Sequence, residues 1–94
     1  MKKGTNINMN KIIKYNGKLN VIGTKIKKIR LEHGWSLTQL SDQLMFLGFD
    51  IPKSSIDNIE KGKRVVKEYE FYALCKVFDI SMEEMLKDFI KNLK

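Results

Sequence analysis

From Ile22 onward the apolar positions recur at helical spacing. Ile22, Ile26 and Ile29 fall at i, i+4 and i+7, one stripe of a first helix over about 22–33, and Gly34 suits its left-handed stop. Ser36-Leu37-Thr38-Gln39 has the form of a capping box, in which a hydroxyl and an amide satisfy each other's backbone N–H groups. It predicts a second helix over about 36–47, with Leu37, Leu40, Leu44 and Leu47 inward and Gly48 at its close. A connector, Phe49-Asp50-Ile51-Pro52, leads to a short third helix over about 53–61 that turns Ile56 and Ile59 inward and stops at Gly62. Beyond the basic pair Lys63-Arg64, a fourth helix over about 67–78 buries Phe71, Leu74, Cys75 and Phe78. Ser81-Met82-Glu83-Glu84 reads as a second capping box, opening a fifth helix over about 81–92 with Met82, Met85, Leu86, Phe89, Ile90 and Leu93 on its apolar stripe.

Residues 1–20 follow no such period. They are rich in Asn, Lys and Gly and read as a flexible or extended arm. One local signal competes: Ile12–Tyr15 and Lys18–Val21 flank Asn16-Gly17, the pair favoured in tight hairpin turns. The expected division is a basic arm over 1–20, flexible or hairpin, and an all-α five-helix domain over 21–94.

Charge sharpens this picture. The chain of 94 residues carries a net charge of +7. Its first thirty residues hold nine basic groups and no acid, so the excess lies in the first third. A polyanion is the expected partner, nucleic acid before anionic membrane. No run of 18 apolar residues exists, and the basic N-terminus lacks a continuous apolar stretch behind it. Neither a membrane span nor a secretory signal is expected, and the cytoplasm is the default location. The single Cys75 makes no internal disulfide and reads as a small core residue. His33, the one histidine, stands beside the Gly34 stop with no metal or triad spacing around it, and no phosphate-cradling loop is present. An enzyme, a cofactor and a metal are therefore not expected.

Two helices joined by a short connector, the second short and polar outside, form the helix-turn-helix layout. The residues that fill it resemble the Cro/phage-repressor type of helix-turn-helix domain, the XRE family. The matching pattern is Ile22-Gly23, Ile26, Ile29-Arg30, Gly34-Trp35-Ser36 and Gln39-Leu40, then Ser55-Ile56, Ile59-Glu60 and Gly62-Lys63-Arg64, then Leu74, Phe78, Ile80-Ser81 and Glu84-Met85-Leu86. The resemblance covers about two-thirds of the chain. It implies a compact, lambda-repressor-like fold that binds double-stranded DNA as a transcriptional regulator, in the sense of a repressor. The third helix would be the recognition helix, with Lys53, Ser54, Ser55, Asp57 and Asn58 at the bases. Ser36, Thr38, Lys61, Lys63 and Arg64 would contact phosphates, Lys63 and Arg64 foremost. Arg30 and Glu60 would form a structural ion pair joining the first helix to the third.

The chain departs from the family pattern. Leu40 to Ile56 is about five residues longer than usual, Pro52 stands where a polar cap is common, Leu37 replaces a frequent Gln, and Lys67 replaces a capping residue. The arm lysines Lys2, Lys3, Lys11, Lys14 and Lys18 are expected to follow phosphates or enter a neighbouring groove. The fifth helix carries more apolar residues than a small core needs, so Phe89, Ile90 and Leu93 are expected at a homodimer interface. A regulatory signal is expected through a protein partner. The alternative reading is a protein-interaction module on the same scaffold, antitoxin-like or polymerase-associated, with DNA binding weak or lost.

Overall fold

The computed structural model describes residues 15–93 and consists of five helices: α1 Gly23–Glu32, α2 Leu37–Phe46, α3 Lys53–Glu60, α4 Glu68–Phe78 and α5 Met82–Lys91. Every helix that the periodicity predicts is present, and the fold is all-α. Helix α3 packs between α1 and α2, α4 packs against α1, α2 and α5, and one core runs through all five. Ile26, Leu40, Leu44, Ile56, Ile59, Leu74 and Met85 are its fully buried members. Buried side chains of this size each stabilise the fold by roughly 1.5–3 kcal/mol before conformational entropy is counted.

The close approach of α1 to α3 depends on Gly23. A Cβ there would lie 2.3 Å from the Ile59 carbonyl oxygen and 2.9 Å from that of Glu60. No side chain fits against two backbone oxygens at that range, so the helices meet backbone to backbone.

Capping follows the sequence in part. At α2 the box is complete: Gln39 N–H donates to Ser36 Oγ at 3.1 Å, and Ser36 N–H donates to Gln39 Oε1 at 2.8 Å. At α5 only half forms. Glu84 N–H donates to Ser81 Oγ at 2.9 Å. The Glu84 carboxylate turns instead to Lys25 on α1, at 3.4 Å, and Lys25 also meets Asp88 at 3.6 Å. Leu47, expected inward, is 40% exposed. Helix α2 ends at Phe46, and Gly48 at φ 91° turns the chain away before another inward position is reached. Helix α4 ends on Asp79 at φ 54°, a left-handed stop with no glycine to announce it.

The expected boundary at residue 20 is not where the described chain leaves the domain. Tyr15 and Lys18 exchange two backbone hydrogen bonds of 2.9 Å around Asn16 and Gly17, both with positive φ, which is the tight turn that Asn-Gly favours. Tyr15 packs edge-on against Phe89 of α5, with ring centroids 5.1 Å apart. Leu19 N–H donates to the Gly62 carbonyl at 2.9 Å. Residues 15–20 are therefore part of the domain. Lys2, Lys3, Lys11 and Lys14, and the hairpin positions Ile12–Lys14, lie outside the described residues.

Candidate DNA-binding surface

Helix α3 has two faces. Ile56 and Ile59 are fully buried, whereas Lys53, Ser54 and Asn58 are exposed and Ser55 and Asp57 are half-buried. Positions 53, 57 and 61 follow one helical row and 54, 58 and 61 the neighbouring one, so the polar residues share the outer side. Pro52 precedes the helix in an extended conformation and offers no side-chain cap. Its carbonyl accepts from Ser55 N–H at 3.0 Å and Ile56 N–H at 3.1 Å. The N–H groups of Lys53 and Ser54 thus stand at the open leading end, where positive helix-end charge gathers. Ser41 Oγ donates to the Ile51 carbonyl at 2.7 Å and ties the lengthened connector to α2.

The other expected contacts surround this helix. Ser36 and Thr38 are exposed at the start of α2. The Ser36 hydroxyl accepts within the capping box, which leaves its proton to donate outward. Lys61 and Lys63 are exposed past the end of α3. Asp57, the one acid on the outer face, is met by Lys61 Nζ at 2.9 Å, so the pair has no net charge and the acid is screened from an approaching phosphate. Among the described residues, no carboxylate lies within ion-pair distance of Lys53 or Lys63.

Two arginine forks brace the helix. Arg30 Nε donates to Glu60 Oε2 at 2.7 Å and Nη2 to Oε1 at 3.0 Å, while Nη1 donates to the Trp35 carbonyl at 2.9 Å. Both side chains are under 10% exposed. Hydrogen bonding to Glu60 raises the Arg30 pKa beyond its already high ordinary value, against the opposing effect of burial. The second fork was not legible in the sequence. Arg64, expected at a phosphate, points both Nη groups at Glu70, each at 2.8 Å, and Nη1 also donates to the Val65 carbonyl at 2.8 Å. The fork holds the Glu70 carboxyl below the usual glutamate range and raises Arg64. Helix α4 accordingly begins without a side-chain acceptor from Lys67; Glu70 reaches back and accepts from Lys67 N–H at 2.9 Å. Arg64 lies in the loop and Glu70 in α4, so no single helical or strand period relates the two.

Asn20 is a further residue that sequence reading missed. Its Oδ1 accepts from Ile22 N–H at 3.0 Å and Gly23 N–H at 2.8 Å, closing the start of α1. Its Nδ2 donates to the carbonyls of Ile59 at 3.0 Å and Arg64 at 2.9 Å. An Asn just ahead of a helix is the available signal, and it points only to the cap. Lys18 lies alongside, its Nζ 3.3 Å from the Lys61 carbonyl.

A helix-turn-helix family model matches residues 26–85, which is more than half of the chain and spans α1 into α5. The chain belongs to this family. The helix-turn-helix domain is of the Cro/phage-repressor type, a family of DNA-binding regulators and not of enzymes. No curated protein and no solved structure gives a match. Among the described residues, no helix is long and apolar enough to cross a membrane, and no cluster of three or more His, Cys, Asp or Glu could hold a metal ion. Cys75 is a free thiol in the core, and burial pushes its pKa up.

Proposed function

We propose that this protein is a sequence-specific repressor that lays α3 in the major groove of double-stranded DNA. The observation that carries the reading is the two-faced helix: Lys53, Ser54 and Asn58 are exposed along its outer side while Ile56 and Ile59 anchor it from behind. The major groove admits one helix and exposes a distinct donor and acceptor pattern for each base pair. Lys53 donates to guanine O6 or N7, Asn58 pairs with the adenine edge, and Ser54 and Ser55 donate or accept. Asp57, paired with Lys61, shapes the same surface and accepts from a cytosine amine where Lys61 releases it. Ser36, Thr38, Lys61 and Lys63 hold phosphates and fix the register. With its charge matched by Glu70, Arg64 is left out of that set.

The acting unit is a homodimer. Ile90 on α5 and Leu93 just past its end are 50% and 58% exposed, and Phe89 beside them is only partly covered by Tyr15. Two such domains would offer recognition helices about 34 Å apart, one turn of DNA. The protein acts in the compartment that holds the DNA, and its signal arrives through a protein regulator.

A second reading, a protein-interaction module, draws on α2. Phe46 is 83% exposed beside Met45 at 53% and Leu47 at 40%. Residues 31–52 around them contain Glu32, Asp42 and Asp50 but neither Lys nor Arg. Such a surface fits a protein better than a phosphate backbone.

Selection from a random duplex library separates the two. DNA reading expects enrichment of paired half-sites about 10 base pairs apart, with affinity falling steeply with salt. Lys53→Ala should cost about 1–3 kcal/mol and relax preference at one position, whereas Lys63→Ala should weaken every sequence alike. A library that emerges unenriched would leave only the second reading.

A further inference from the structure

The stretch from Ile59 to Arg64 ends α3 and carries Lys63. The Asn20 amide binds both of its ends, donating to the Ile59 and Arg64 carbonyls, while its oxygen accepts two N–H groups at the start of α1. All four hydrogen-bonding positions of this amide are used within the fold. Lys63 N–H, between those ends, donates to the Asn58 carbonyl at 2.9 Å. Immediately beyond, Glu70 grips the Arg64 guanidinium with both oxygens while only 5% exposed. Arg64 is therefore neutralised by its own domain, and the loop that presents Lys63 is fastened before any partner arrives.

We propose that Asn20 and Glu70 are positioning residues for DNA binding: they fix the Ile59–Arg64 segment so that Lys63 meets a phosphate without a loop having to be ordered, and Glu70 keeps Arg64 out of the phosphate contacts. The inference rests on the DNA-binding reading above. Ordering a loop or side chain on association weakens binding. A segment already ordered avoids that loss. A carboxylate that only competed with DNA for Arg64 would do the opposite and weaken binding by its presence.

The two cases give opposite signs. The affinity of the full chain for a random-sequence 30-base-pair duplex is measured by fluorescence anisotropy across a salt series, at a temperature well below every variant's melting transition. Positioning expects Glu70→Gln and Asn20→Ala each to bind about three- to tenfold more weakly at every salt concentration. Hydrogen exchange at the Gly62–Val66 amides should be faster in both. Arg64→Gln should keep the slope of log affinity against log salt, whereas Lys63→Gln should reduce it by about 0.9, the loss of one phosphate contact. The Arg64→Gln/Glu70→Gln pair should bind no more weakly than Glu70→Gln alone, because the two act as one unit. This neutral pair and Asn20→Ala also carry the test where Glu70→Gln fails to fold. Tighter binding by Glu70→Gln, together with a reduced slope for Arg64→Gln, would make Arg64 a phosphate ligand and overturn the proposal. So would unchanged affinity in both Glu70→Gln and Asn20→Ala. Failure of the unaltered chain to bind the duplex at any salt concentration would instead overturn the DNA reading itself.

Discussion

The two ends of α3 are built differently. The leading end has Pro52 with no side-chain cap, exposed Lys53 and Ser54, and N–H groups that meet no acceptor among the described residues. The trailing end is tied to three other parts of the chain: to α1 through Arg30 and Glu60, to the N-terminal turn through Asn20 and Leu19, and to α4 through the Arg64–Glu70 fork beyond it. A helix that must enter a groove cannot be covered at the entering end. Its orientation is set by what holds it from behind, and polar contacts accumulate there. The contrast also explains why an Arg, rather than a Lys, stands at positions 30 and 64. A planar fork fixes direction as well as distance, which a point charge does not.

The contrast breaks most severely at Arg30. Arg30→Ala leaves the Glu60 carboxylate buried and unpaired, which should destabilise the domain by about 3–5 kcal/mol. A thermal melt would register this as a fall of more than ~10 °C for a domain of this size. An unchanged melting temperature would remove the fork from the account of how α3 is held. A smaller effect concerns acid. Because the folded-state pKa of Glu70 is depressed by Arg64, its contribution is complete above the ordinary glutamate value and is lost as pH falls from there through the depressed one. Glu70→Gln lacks that contribution already at neutral pH. Its stability should therefore fall less steeply than that of the unaltered chain in urea melts taken between pH 6 and pH 3. Parallel curves would show that the fork does not couple to folding. The smallest change is expected at the leading end. Pro52→Ser supplies the missing cap and should stabilise the fold by about 0.5–1 kcal/mol, readable as a shifted urea midpoint. A loss of stability would mean that the fixed backbone of Pro52 matters more than the cap it withholds.

Much of this architecture is legible in the residues, because helix formation is local. The i, i+4 stripe of α1, the Ser36–Gln39 box and the glycine stops each depend on neighbours within one or two turns. The outer face of α3 is readable for the same reason: burial of Ile56 and Ile59 dictates which positions remain outside. Contacts made across the chain are not readable in that way. Arg64 in a Lys-Arg pair looks like a phosphate ligand, and nothing in the order of residues shows that Glu70 will claim it. Asn20 looks like part of a loose arm, although its amide bridges elements about forty residues apart in sequence. Glu84 illustrates the reverse error, since the local box motif is present but its carboxylate is drawn off by Lys25. Local periodicity shows which helices form, and long-range electrostatics decides which charged groups remain available.

Because the side chains of Lys53, Ser54 and Asn58 make no hydrogen bond or ion pair among the described residues, they are free to drift. Changes there cost the scaffold almost nothing and are judged only by whatever the helix touches. Duplicated copies of such a gene can therefore diverge in what they recognise while keeping one interior, and a library randomised at these three positions would consist mainly of folded proteins.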